Sequence, residues 1–120
     1  MKHYILRDRK PVPVSLLEWA EWFGNDANRI VAQDRIERAD ADPVLVSTVF
    51  LGLDHRWGNG PPLLFESLVF GGPLDEKMYR WSTWDEAEAG HRHLLVESIT
   101  EGELLAWQAR QMIAGATTIR

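Results

Sequence analysis

Val44-Leu45-Val46-Ser47-Thr48-Val49-Phe50-Leu51-Gly52-Leu53 is the stretch that decides the fold. It is almost unbroken in apolar residues, too short for a typical helix and rich in Val, and therefore reads as a central β-strand. Polar residues 37–43 precede it. Asp54-His55-Arg56-Trp57-Gly58-Asn59-Gly60-Pro61-Pro62 follows, and its glycines, asparagine and paired prolines break regular structure. A second apolar strand is expected over 63–70. The roughly nine-residue connection is too short for the helical crossover that parallel neighbours need, so the two strands pair antiparallel.

Outward from this pair, residues 29–36 mix β-branched and charged side chains as a strand does, and 77–81 alternate as on a half-exposed edge strand. Upstream, residues 2–14 read as an edge hairpin whose second arm carries Pro11 and Pro13. Three helix starts carry capping-box spacing: Ser15 with Glu18, Thr83 with Glu86, and Thr100 with Glu103. In the first helix Leu16, Trp19, Ala20 and Phe23 share a face, and Gly24 is placed for a left-handed stop. The second runs to about Ser98 and the third to near Gly115. The expected class is α+β: one domain over 1–120, an antiparallel sheet of four or more strands, and about three helices largely on one face.

Composition narrows the functional classes. With 45% hydrophobic and 26% charged residues the chain has material for a packed core. It has no cysteine, which excludes disulfides and thiolate metal sites and fits a reducing cytoplasm. No segment approaches a membrane span or an export signal. A net charge of −5 disfavours nucleic acid as a partner.

One candidate chemical constellation is Asp54 and His55 at the end of the central strand, with Glu66 on the next strand and His91 on the second helix. Together they compose a donor set for a divalent metal and hence for a small metal-dependent hydrolase or nuclease. Spacing argues against it: His91 and His93 are two residues apart and face different sides of a helix. The simpler reading makes Asp54 a turn cap, His55 a solvated side chain, and Glu66 an ion-pair partner of Arg80. His91 then becomes a hydrogen-bonded residue on the apolar face with Trp84, Ala87 and Leu94 or Leu95. No nucleophile has a visible base and no glycine loop has phosphate-binding spacing. No metal or cofactor is expected, and a binding protein ranks above an enzyme.

Six tryptophans are many for 120 residues. Trp19 and Trp84 are expected in the core. Trp57, beside Arg56 in the loop, is the candidate binding anchor, because Trp and Arg are enriched at interface hot spots. Trp22 and Trp107 lie beside the apolar stripes of their helices and complete the candidate binding set. A homo-oligomeric structural or assembly factor, joined through edge strands or the last helix, is a third reading.

Ser47-Thr48-Val49-Phe50-Leu51-Gly52-Leu53-Asp54-His55, then Gly60-Pro61-Pro62-Leu63-Leu64-Phe65-Glu66, then Ser82-Thr83-Trp84 with Glu86-Ala87-Glu88-Ala89-Gly90-His91, together form a pattern. It resembles a group of short bacteriophage and prophage proteins with no established activity. The resemblance covers about residues 4–93, including Pro11-Val12-Pro13-Val14 before Trp19 and Trp22. It implies a phage-related origin, the bacterial host cytoplasm, and action by binding a bacterial or phage protein, inhibition of a host defence system included. It carries over no functional residues.

Overall fold

The computed structural model describes residues 2–118 and has the expected α+β architecture. Strands β1 (His3–Arg7) and β2 (Lys10–Val14) form a separate hairpin, followed by helix α1 (Leu16–Phe23) and a single 3-10 turn at Asp26–Asn28. The main sheet is the antiparallel meander β3 (Ile30–Ile36), β4 (Val44–Phe50), β5 (Phe65–Phe70) and β6 (Met78–Trp81), in that spatial order. Helices α2 (Trp84–Ser98) and α3 (Glu101–Thr118) close the chain. Among the described residues no helix is long and apolar enough to cross a membrane.

Local chemistry accounts for the boundaries. The β1–β2 turn has positive φ at both Asp8 and Arg9, the backbone that a two-residue hairpin requires. The central strand ends at Phe50 rather than at Leu53, because Gly52 takes φ +75° and packs under the Trp19 indole and the Tyr4 carbonyl. A side chain at Gly52 would collide with both. Ser15 caps α1 by accepting from the Glu18 amide, but Glu18 turns away to pair with Arg7 instead of reaching back. Gly24 is not the left-handed stop that its position implied: it keeps right-handed helical φ and ψ, and the 3-10 turn carries the chain onward. Thr83–Glu86 and Thr100–Glu103 form both bonds of their capping boxes, and α3 runs past Gly115.

The sheet is two-faced. On one side Val44, Val46, Thr48 and Phe50 of β4 are buried with Val69, Ser67 and Phe65 of β5, the residues directly opposite three of them. Helix α2 covers this side with Ala87, His91, Leu94, Leu95 and Ser98. Two apolar clusters result. One holds Ile36, Val44, Val46, Val69, Leu94 and Leu95; the other holds Phe50, Leu64, Phe65 and Ala87, with Tyr4 and Leu6 of the hairpin and Trp22 of α1 packed on it. Trp81 packs against both. The opposite side carries Leu45, Ser47, Val49, Glu66, Leu68, Phe70, Met78 and Arg80, all half-exposed or exposed.

Trp81 can reach the core because its neighbour on α2 is Gly90, where an added Cβ would lie 2.3 Å from the indole Cζ2. Alanine in a helix interior ordinarily gains about 1 kcal/mol over glycine. Here the sign reverses: Gly90→Ala is expected to destabilise the protein by about 1–3 kcal/mol through overpacking, read as a lower midpoint in denaturant unfolding. An unchanged or higher midpoint would show that Trp81 does not seat on Gly90.

Candidate functional site

The structure scatters the proposed metal set. Asp54 and His55 sit at the head of the loop, Glu66 lies on the open sheet face 3.3 Å from Arg80, and His91 is in the core. Among the described residues no three His, Asp or Glu side chains converge as metal ligands. The hydrolase constellation therefore does not assemble, and Glu66 makes the ion pair that its strand position required.

His91 instead belongs to a buried chain of polar groups that sequence reasoning missed. The Trp81 indole Nε1 donates to Ser67 Oγ at 3.0 Å, Ser67 Oγ lies 2.6 Å from Thr48 Oγ1, and Thr48 Oγ1 lies 2.7 Å from His91 Nδ1. His91 Nε2 then lies 2.8 Å from the Asp34 carboxylate. An indole only donates and a carboxylate only accepts, so the two ends are fixed: Trp81 donates to Ser67, and His91 Nε2–H donates to Asp34. Between them either hydroxyl can be the donor, and every member of the chain has a partner. Acid, imidazole and hydroxyl stand in the order of a catalytic triad. Yet Thr48 and Ser67 are fully buried, so neither hydroxyl can meet a substrate, and the chain is structural. Thr48 and Ser67 were visible as polar residues inside apolar strands, and buried hydroxyls need partners. What the sequence did not display is the register that sets Thr48 opposite Ser67.

The loop over 54–62 is the site that remains, and it is braced at three points. Asp54 Oδ1 accepts from the Arg56 amide at 2.9 Å and from the Leu63 amide at 3.0 Å, tying the two ends of the loop together. The His55 amide donates to the Leu63 carbonyl at 3.2 Å. Arg56 Nε donates to the Pro61 carbonyl across the loop, and its guanidinium fills the space where a side chain at Gly60 would stand. Gly58 and Gly60 take positive φ and allow the tip to turn. Trp57, at this tip, is 98% exposed. A cleft of about 320 Å³ lies beneath it, lined by Asp54, His55, Arg56, Trp57 and Arg80.

The other tryptophans of the candidate binding set are in the body of the fold. Trp22 meets Phe50 edge-on at 5.6 Å between ring centroids, and Trp107 packs against the cluster containing Leu94 and Leu95. Both are half-buried, because Trp22 turns toward Phe50 of the sheet and Trp107 toward the cluster that α2 closes. They are withdrawn from the interaction surface. Trp84 meets Phe65 edge-on and packs on the cluster of Phe50 and Phe65, whereas Trp19, expected in the core, stacks on Phe23 of its own helix; both indoles are half-buried. Compared with known proteins, the chain matches no family model, no curated protein and no solved structure.

Two measurements test these assignments. Thr48→Val keeps the volume but removes the hydroxyl at the centre of the polar chain, orphaning Ser67 and His91. It is expected to cost at least about 2 kcal/mol in denaturant unfolding, whereas a cost near zero would show that the hydroxyl bonds are not formed. The second concerns Asp54, whose carboxyl is held below its ordinary 3.8 by the Arg56 and Leu63 amides. A lowered carboxyl stabilises its brace above its ordinary value and loses that contribution as pH falls through the lower folded one. The amide protons of Arg56 and Leu63 should therefore titrate together with a midpoint below 3.8, and Asp54→Asn should abolish the transition. An NMR midpoint at or above 3.8 would break the assignment.

Proposed function

We propose that this chain is a phage- or prophage-type accessory protein that acts by binding another protein of the bacterial host or the phage, with Trp57 as the anchor. One observation carries the reading: an indole 98% exposed at the tip of a loop whose ends and middle are tied by hydrogen bonds. Exposed apolar surface of this size is unfavourable in water, and folding gains nothing from it. A braced loop has already lost the freedom that a floppy one surrenders on binding, so the contact area of the Trp converts to affinity at low entropic cost. His55, Arg56 and Arg80 around the cleft supply a polar rim, and Trp with Arg is the residue combination most enriched at hot spots. Host-defence proteins are one class of target consistent with the phage resemblance.

The test compares wild type with Trp57→Ala, in binding to the protein that co-purifies from a phage-infected bacterial lysate and in stability. Affinity is expected to fall by about 2 kcal/mol or more, while stability stays within about 0.5 kcal/mol. Unchanged affinity, or a stability loss of about 3 kcal/mol as for a packed aromatic, overturns the assignment of Trp57.

A further inference from the structure

The chain has three asparagines, and the fold holds two of them. Asn25 Oδ1 accepts from the Ala27 amide at 3.2 Å, and Asn28 Nδ2 donates to the Trp22 carbonyl at 2.9 Å. The amide after Asn28, that of Arg29, donates to the Asp26 carbonyl. Asn59 differs: it stands exposed at the tip of the β4–β5 loop, between Gly58 and Gly60. Among the described residues neither its side chain nor the Gly60 amide makes a hydrogen bond. The bonds that brace the loop use the amides of His55, Arg56 and Leu63 and the Pro61 carbonyl, on either side of this dipeptide.

That combination sets up an intramolecular reaction. The backbone nitrogen after an asparagine can reach the side-chain carbonyl carbon and close a five-membered ring. Three conditions favour closure: the nitrogen is free of a hydrogen bond, the side-chain amide is not held away, and no side chain on the next residue crowds the approach. Glycine at that place removes the crowding and lets the backbone turn. Here Gly58 takes φ +84° and Gly60 φ +126°. A side chain at Gly58 would meet nothing within 4 Å, and one at Gly60 would first meet the Arg56 guanidinium. Asn25 and Asn28 fail the conditions, since each amide is bonded and the residues that follow are Asp26 and Arg29.

We infer that Asn59 is a site of spontaneous deamidation, a self-modification that alters the Trp57 surface as the protein ages. The Gly60 nitrogen gives up its proton and bonds to Asn59 Cγ; the Cγ–Nδ2 bond breaks, and ammonia leaves with that proton. Water then opens the cyclic imide. Hydrolysis at Cγ leaves aspartate in the original chain, and hydrolysis at the backbone carbonyl leaves isoaspartate, whose main chain runs through the side-chain carbon. Either way one water enters, one ammonia leaves, and an amide becomes a carboxylate that is ionised at neutral pH. The formal net charge goes from −5 to −6. The isoaspartate form also carries one extra methylene in its main chain. Asp54 pins the loop through the amides of Arg56 and Leu63, so that length is taken up between them, where Trp57 stands. The new carboxylate adjoins Gly60, which the Arg56 guanidinium flanks, and competes with the Pro61 carbonyl for that cation. The reaction is independent of whether Trp57 anchors a partner; only its consequence for binding rests on that reading.

The test incubates the full chain in neutral and in mildly alkaline buffer and follows it by peptide mass spectrometry with an isoaspartate-specific methylation assay. A synthetic peptide of residues 55–61 serves as the unstructured standard. Asn59 should convert to a mixture of aspartate and isoaspartate, one mass unit heavier, and faster in the alkaline buffer because the nitrogen must lose its proton. Asn25 and Asn28 should stay intact over the same period. Asn59→Gln should lose the acidic form, since its longer side chain would have to close a six-membered ring. The indole N–H resonance of Trp57 should shift in step with conversion, while the melting temperature stays unchanged because the site is exposed. Retention of Asn59 after the peptide has fully converted overturns the proposal, as does conversion of Asn25 or Asn28 at the same rate. Full conversion with no shift of the Trp57 resonance overturns the effect on the Trp57 surface.

Discussion

The buried hydrogen-bond chain from Trp81 to Asp34 is the constraint on which the remaining structure depends, because its five members stand on five elements. Trp81 is on β6, Ser67 on β5, Thr48 on β4, Asp34 on β3, and His91 on α2. One path therefore ties every strand of the main sheet to the helix that covers it. The chain also divides the interior, with aliphatic residues around Val46 and Leu94 on one side and aromatic residues around Phe50 and Phe65 on the other. Trp81 belongs to both clusters and to the polar chain, and the missing side chain of Gly90 is what lets it do so.

Fixing the sheet in this way determines what is left for contact with other molecules. With α2, α1 and the hairpin all on one side, the apolar face of Leu45, Leu68 and Phe70 stays open, and the β4–β5 connection is displayed at the sheet's end. That connection is not slack: a single carboxylate oxygen of Asp54 holds the amides of Arg56 and of Leu63, the latter nine residues along the chain, and an arginine spans what remains. The same loop could have buried its tryptophan against Arg80 and Glu66. Instead the Arg56 side chain turns inward across the loop to the Pro61 carbonyl, and the adjacent indole stands exposed.

Most of the fold was legible because its signals are local. The apolar runs, the capping boxes at Thr83 and Thr100, and the glycine-proline loop each announce one element without reference to any other, and the short connection dictated antiparallel pairing. The role of Asp54 as a turn cap was legible for the same reason, its partners lying two and nine residues away. What could not be read depends on distant pairs. Asp34 meets His91 across 57 positions of sequence. The orientation of Trp22 and Trp107 is set by which neighbouring surface each helix meets, and a stripe edge in sequence says nothing about that. Gly24 deceived because the 3-10 turn after it, rather than a left-handed residue, absorbs the end of the helix.

The polar chain also answers a question that apolar patterning leaves open. Sliding β5 by two residues along β4 would keep every buried side chain on the buried face, since strand faces repeat with a period of two. Ser67 would move opposite Phe50 or Val46, yet the same side chains would stay buried, so hydrophobic burial alone barely distinguishes the slipped sheet from the native one. Thr48, however, would then face Phe65 or Val69 instead of Ser67. Its hydroxyl, the Ser67 hydroxyl and the indole N–H of Trp81 would be left to find new partners in a dry interior, at about 1–3 kcal/mol for each that failed. The penalty of two or three such groups approaches the whole net stability of a small domain. Apolar side chains thus select the face of each strand, and a handful of hydroxyl, imidazole and indole groups select the register; the position of Arg80 beside the Trp57 loop follows from the second choice, not the first.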